Sequence, residues 1–279
     1  METEESFVEE LLKALSAQSQ ILFLLMGILL VLILVLIVSQ IIQLVSTKNM
    51  FKAQNDQFNK TLDVIKSLSF NPSEDRGRLV VNMPGLLPTD PATAKSELVR
   101  LADECVAMGE KIDEHTDRRN NSKLVSELVY KISTKLDLDN ETCTLYFCAS
   151  MVYDIGFLDV PAEYFRAEIL NTTEKRILRA HVNHGKDHLG FVDEKYRKTF
   201  ENASTYHHEN IDGTGYPESL KGSSIPLVAR IIHVVESYIS LINPRSYHKI
   251  LDKQSAISEL QRQKGIYDPE IIEALSSII

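Results

Sequence analysis

The chain has no tryptophan and only three cysteines, Cys105, Cys143 and Cys148. Three is an odd number, and their spacing forms no CxxC pair. That argues against a disulfide framework or a thiolate-ligated metal and for buried, reduced thiols in a reducing compartment. Positive charge is also short. Thirty Lys and Arg face thirty-nine Asp and Glu, for a formal net charge of −9. A general grip on DNA or RNA needs a basic surface to neutralise phosphates, so nucleic acid is excluded as a partner class. Two further things are missing: a run of alternating polar and apolar residues that would read as a strand, and an internal repeat. What remains is helical periodicity, so the expected fold class is all-α.

The chain does have one long apolar stretch. Ile21 to Val38 is interrupted only by Gly27, and the apolar pattern resumes to Val45. At about 1.5 Å per residue, residues 21–45 span roughly 37 Å, enough to cross a bilayer with some tilt. A cleaved signal peptide fits poorly, because the preceding residues are acidic (Glu2, Glu4, Glu5, Glu9, Glu10) and no small-residue cleavage site follows. Lys48, Lys52 and Lys60 follow the run, whereas only Lys13 precedes it. By the positive-inside rule the long C-terminal part is cytoplasmic. The expectation is a single-pass protein with residues 1–20 as a short tail outside, 21–45 in the membrane and 46–70 as a juxtamembrane helix. Phe51, Phe58 and Ile65 recur every seven residues in that helix, a seam that suits a homodimer or a helix lying back on its own domain. Residues 71–95 carry Pro72, Pro84, Pro88 and Pro91 and are expected to be a linker. Residues 96–279 then form the main domain, with helices expected over 172–183, 194–208, 226–242 and 253–264.

Five of the eight histidines fall between His181 and His208, and His207-His208-Glu209 leads directly into Asp212-Gly213-Thr214-Gly215-Tyr216-Pro217. Imidazole is the commonest side chain for holding a catalytic transition metal. Other segments stand apart from the periodic background. They are Asp117 with Asn121, Tyr153-Asp154-Ile155-Gly156, His181 with Gly185, and Ala229-Arg230 through Glu236 to Pro244-Arg245-Ser246-Tyr247. His115, His184, His188 and His233 read as packing or solvent residues, and Arg230 as the partner of an acidic neighbour.

The string HHENIDGTGYP resembles the signature of the HD-GYP family, the branch of the HD phosphohydrolases that degrades cyclic di-GMP. The segments around His181 and from Ile225 to Lys249 are similar to that family as well, so the resemblance covers about residues 100–279. It implies an HD-type helical bundle behind the single transmembrane helix. It also implies a cluster of two or three metal ions, iron or manganese, with zinc as an alternative. Carried over by position, the metal ligands are Asp154, His181, His207, His208 and, replacing an aspartate, Glu236. Asp154 is the shared, catalytic carboxylate. Tyr216, Arg245 and His248 fall on substrate-binding positions. Asp117 falls where three-metal members carry an extra carboxylate, one helical turn before the first histidine.

Three positions depart from the pattern. Asn121 stands for the first histidine, Tyr153 for the histidine of the pair that names the family, and Phe157 for a lysine near the substrate phosphate. The losses concentrate on one of the two ions. The resemblance thus implies one retained metal site and a crippled neighbour, in a bacterial inner-membrane protein that binds cyclic di-GMP or a related cyclic dinucleotide with weak or no hydrolysis. Two alternatives stand beside it. One is an active metal-dependent phosphodiesterase. The other is a membrane scaffold that contacts a partner such as a diguanylate cyclase.

Overall fold

The computed structural model describes residues 2–67, 91–167, 169–243 and 250–279. Among these the chain is helical throughout, with no β-strand. It divides into two compact units, residues 1–57 and 58–279.

Helix α1 (Glu2–Ser67) carries the apolar run. Large apolar side chains from Leu22 to Val45 are exposed, several by more than half. Water penalises such a surface, whereas a lipid interior does not. This helix is long and apolar enough to cross a membrane. Its end belongs to the second unit: Phe58 and Ile65 are buried, and Phe58 stacks on Phe147 with centroids 5.8 Å apart. The heptad seam, which suits either a homodimer or a helix lying back on its own domain, is from Phe58 onward spent on the chain's own core. Spacing alone could not distinguish the two uses, because either one buries the same helix face.

The second unit continues with α2 (Pro91–His115), α3 (Asn121–Lys135) and α4 (Asn140–Met151). Helix α2 begins inside the stretch expected to be a linker. Pro91 lies at its first position, where a missing N–H costs nothing. The rest of that expected linker, residues 71–90, lies outside the described residues. Helix α4 is the centre of the fold: every residue from Thr142 to Met151 is buried, and α2, α3 and the helix over Glu194–Tyr206 pack around it. Asp139 caps its start by accepting from the Thr142 N–H at 2.9 Å.

After α4 the chain tightens into a 3-10 turn over Ile155–Asp159. Then come α5 (Thr172–Arg179), the single turn α6 (His181–His184), α7 (Glu194–Tyr206), α8 (Leu227–Ile242), α9 (Lys253–Arg262) and α10 (Pro269–Ser276). The helix expected over 172–183 is thus broken at Ala180, and α10 was not anticipated. Cys105, Cys143 and Cys148 are buried and none is in a disulfide, as expected.

Candidate metal centre

Three segments meet at the end of α4. The 3-10 turn brings Asp154, α6 brings His181, and the end of α7 brings His207 and His208. Gly156 makes the approach possible: a Cβ there would lie 2.0 Å from the His181 carbonyl oxygen. Asp154, His181 and His207 are each at most 2% exposed.

The two buried imidazoles have fixed tautomers. His181 Nδ1 donates to the Leu178 carbonyl at 2.7 Å, and His207 Nδ1 donates to the Ala203 carbonyl at 2.9 Å. With the proton on Nδ1, each Nε2 presents a lone pair. These lone pairs face each other at 3.2 Å. Asp154 Oδ1 lies 3.4 Å from His181 Nε2 and 3.6 Å from His207 Nε2, and it is buried with no hydrogen-bond partner. Three acceptors converging on one buried point repel one another unless a cation, either a metal ion or a proton on one imidazole, sits between them. In a tetrahedral shell with ligands at about 2.1 Å, neighbouring donor atoms are about 3.4 Å apart. The geometry therefore fits one divalent ion. The His208 ligand nitrogen falls within 4.8 Å of those of His181 and His207, so the three imidazoles form a donor group that borders on Asp154 through His181 and His207.

Electrostatics agree with this arrangement. Burial raises the Asp154 carboxyl, but the Arg118 guanidinium and the two imidazoles override it and hold the group well below the usual carboxylate range. Burial, then the neighbouring imidazoles His207 and His181, hold His208 well below its ordinary value, so it stays neutral and able to ligate. Burial also lowers His207, but Asp154 more than offsets this and its net shift is upward.

The other side of Asp154 is different. Arg118 Nη2 donates to Asp154 Oδ2 at 2.5 Å, and Arg118 Nη1 lies 3.9 Å from Glu236 Oε1. Asn121 Nδ2 donates to Tyr153 Oη at 3.2 Å. Burial, reinforced by Asp154, pushes the Tyr153 phenol far up, so it stays protonated and is a poor ligand. Among the described residues, Glu236 joins the cluster only through Arg118. Asp117 is not one helical turn before Asn121 on a shared helix. It sits in the turn between α2 and α3 with φ 54°, faces solvent, and lies 3.9 Å from Arg166. Phe157 stacks on the His181 ring at 3.9 Å, which fixes that imidazole from its open face.

Glu209 of the histidine-histidine-glutamate triplet is not a ligand. Its buried carboxylate accepts from the N–H groups of Glu218 (2.7 Å) and Leu220 (3.0 Å), and so pins the loop that carries Tyr216. Tyr216 stacks on His208 at 4.9 Å, and the Arg179 guanidinium lies 4.4 Å from the centre of the same ring. Nearby, a cavity of about 530 Å³ is lined by His208, His233, Glu236, Ser237, Leu251 and Tyr267. Arg245 and His248 lie outside the described residues. Of the remaining histidines, His115 bonds the Val160 carbonyl and His188 bonds Asp159. Arg230 pairs with Asp268, as expected.

Arg118 and Arg179 escaped the sequence reading. Arg118 sits between Asp117 and Arg119 in a turn, which gives no periodic signal. Arg179 sits two residues before His181 among other charges, where a solvated role is the ordinary reading.

Comparison with known proteins gives the family. The HD domain family matches residues 101–271. A cyclic di-GMP phosphodiesterase response regulator from Xanthomonas campestris is 27% identical over 153 residues, 54% of this chain and 40% of that protein. A cyclic di-GMP phosphodiesterase from Thermotoga maritima is 27% identical over 162 residues, 57% of this chain and 42% of that protein. A 3′3′-cGAMP-specific phosphodiesterase from Vibrio cholerae is 28% identical over 233 residues, 79% of this chain and 49% of that protein. The chain thus spans less than half the length of each of these relatives. With the HHENIDGTGYP signature and the buried Asp154–His181–His207 cluster, this match makes the chain a member of the HD domain family, in its HD-GYP branch.

Proposed function

We propose that this chain holds one divalent transition metal on Asp154, His181, His207 and His208, and that it binds cyclic di-GMP or a related cyclic dinucleotide with weak or no hydrolysis. The observation that carries the reading is the two-sidedness of Asp154. Its Oδ1 is buried without a hydrogen-bond partner and faces two imidazole lone pairs, while its Oδ2 is bound to Arg118. One side has the donor set for an ion and the other already has a cation.

Iron or manganese suits the mixed imidazole and carboxylate donors, and zinc is also compatible with them. When bound, the ion would supply Lewis acidity and a water of lowered pKa. Hydrolysis of a phosphodiester by a metal pair also needs the second ion, to clamp attacking and leaving oxygens together. Tyr153, Asn121 and Arg118 do not provide for it. The stack of His208, Tyr216 and Arg179 beside the cavity offers an aromatic face and a guanidinium, which suit a base and a phosphate respectively. Arg245 and His248 are assigned to substrate phosphate by the family pattern. The names of the relatives favour an active phosphodiesterase as the alternative.

The membrane arrangement belongs to the same proposal: residues 1–20 outside, 21–45 spanning a bacterial inner membrane, and the domain in the cytoplasm by the lysines that follow the span. A diguanylate cyclase is the partner class of the scaffold alternative.

The test uses the full chain in detergent micelles. Bound metal is counted by elemental analysis, and cyclic di-GMP and 3′3′-cGAMP are titrated by calorimetry and followed for product by chromatography. One ion per chain, binding and negligible product support the proposal. Turnover abolished by Asp154→Asn establishes the phosphodiesterase instead. A metal-free chain that ignores both nucleotides leaves the scaffold.

A further inference from the structure

We propose that Arg118 is a built-in cation occupying the place of the second metal ion, so that this half of the site is filled by the chain itself. The inference deepens the one-ion reading above and rests on it.

The family pattern gives the second ion four ligand positions, which in this chain are Asn121, Tyr153, Asp154 and Glu236. The two carboxylates among them are the ones Arg118 joins, at 2.5 Å and 3.9 Å. The two neutral groups bond each other, Asn121 Nδ2 to Tyr153 Oη at 3.2 Å. No member of the set is left pointing at a vacant centre.

Arg118 is held on several sides. Its Nε donates to Thr116 Oγ1 at 3.2 Å, and that hydroxyl donates in turn to the Ile112 carbonyl at 2.8 Å. Its backbone N–H donates to the Asp113 carbonyl at 3.0 Å. Its guanidinium lies 5.1 Å from the centre of the Phe157 ring, which itself stacks on His181. The turn that presents it has left-handed backbone at Asp117 (φ 54°) and Asn120 (φ 56°), a conformation Asp and Asn tolerate better than other non-glycine residues. Its side chain is 18% exposed. A solvent-facing arginine needs none of this support.

The chemistry follows from the guanidinium. It is always charged and presents a planar fork of donors to carboxylates. It therefore holds the Asp154 and Glu236 carboxylates in position, as a metal would. It has no empty orbital for a water, so it cannot generate a nucleophile. Arg118 is thus a positioning residue that preserves the architecture of a paired site while withholding half of its hydrolytic chemistry.

Metal stoichiometry tests this on the full chain in detergent, with manganese added and excess removed by desalting. Elemental analysis counts the ions, and electron paramagnetic resonance reports coupling between two Mn(II). The wild type and the double variant Asn121→His with Tyr153→His are expected to hold one ion each. The triple variant that adds Arg118→Thr is expected to hold two, with a coupled spectrum. A second ion in the double variant, with Arg118 still present, overturns the inference, and so does a folded triple variant that stays at one ion. Arg118→Gln alone provides a readout that does not need the triple variant to fold. It is expected to melt lower than wild type and to regain part of that loss with a second equivalent of manganese, to which wild type does not respond. An Arg118→Gln protein that neither loses stability nor responds to the second equivalent also overturns the inference. If the wild type holds no ion, the one-ion reading fails by itself, while the double and triple variants must still differ by one.

Discussion

Replacing Asp154 by Asn tests both faces of the site, because it keeps the shape and removes the charge. On the Arg118 side, removing one partner of a buried pair costs about 3–5 kcal/mol in general. Here Glu236 remains 3.9 Å from Arg118. The new amide oxygen can also still accept a hydrogen bond from Nη2. The expected cost is therefore about 2–3 kcal/mol. At about 2–4 °C per kcal/mol for a domain of this size, the metal-free protein should melt roughly 5–10 °C lower. On the histidine side, an amide oxygen is a far weaker ligand than a carboxylate, so the bound ion should be lost on desalting. Loss of a ligand that saturates the wild type at about 100 times its dissociation constant removes a further ~2.7 kcal/mol, so the gap should widen when manganese is present. The sign with pH also follows. Despite burial, Arg118 and the imidazoles depress the folded-state Asp154, so its contribution is fully present above the unfolded value of about 3.9 and lost only as pH falls through the lower folded value. Through Asp154 alone the deficit of the variant would be equal at pH 7 and pH 5. Asp154 also raises His207, however, whose contribution is present below about 6.5 and lost as pH rises, so the deficit of the chelated protein should be larger at pH 5 than at pH 7. Circular dichroism melts of chelated and manganese-loaded protein, with elemental analysis alongside, supply every number. Equal melting of the two chelated proteins would refute the buried pair, and full ion occupancy in the variant would refute Asp154 as a ligand.

Phe58→Ala should destabilise the full chain by about 3–5 kcal/mol, because Phe58 is buried on Phe147, whereas Val64→Ala at a half-exposed position should stay within about 0.5 kcal/mol. Matching urea midpoints for the two would mean that the end of α1 is not part of the core. Gly156→Ala places a carbon 2.0 Å from the His181 carbonyl oxygen and should cost at least about 3 kcal/mol together with ion occupancy; retention of both would contradict the close approach. Burial, with help from His207, lowers His233 to about 4. Its unfolded value is about 6.5, so the unfolded chain binds the extra proton first and stability falls as pH drops from about 6.5 toward 4. In His233→Gln the slope of the urea midpoint against pH over that window should be shallower, and an unchanged slope would remove His233 from the account.

How much of this was legible depends on whether a signal was local. Helix α8 could be read from its apolar spacing, since Val228, Ile231, Ile232, Val235 and Ile239 all reach the core. Asp154, His181 and His207 could be found because the family pattern fixes their chemistry, and the fold brings the three together as expected. Asp117 could not be placed, because its distance from Asn121 was counted along a helix that starts only at Asn121 itself. Left-handed backbone at Asp117 and Asn120 has no periodic trace. The seam at Phe58 and Ile65 was visible, but its partner was not, because spacing records which face is apolar and not what covers it. Pro91 was read as a breaker, although at the first turn of a helix it costs nothing. Arg118 illustrates the general limit. An arginine in a charged turn is ordinary until the fold places two carboxylates in front of it.

The proposed separation of binding from hydrolysis runs through a single carboxylate, and this constrains how such a site can change. Suppose Arg118 had entered while the second ion was still bound. A guanidinium bound to Asp154 Oδ2 and facing Glu236 would then have claimed the same two carboxylates as that ion, and two cations cannot occupy one place. Suppose instead that the ion had gone first and nothing had replaced it. Asp154 and Glu236 would then have been left as partly buried anions without a partner, a cost of several kcal/mol. Both intermediate states are penalised. Arginine at 118 and the weakened ligands at 121 and 153 are therefore coupled choices, each of which makes the other tolerable. The same reasoning gives the site its direction. Restoring histidines at 121 and 153 adds ligands for an ion that the guanidinium still excludes. Removing Arg118 alone leaves two carboxylates with few neutral ligands, so a second ion binds there weakly, enough to recover part of the lost stability but not to survive desalting. Only the combined change crosses back, so the effects of the three substitutions on metal content must be non-additive.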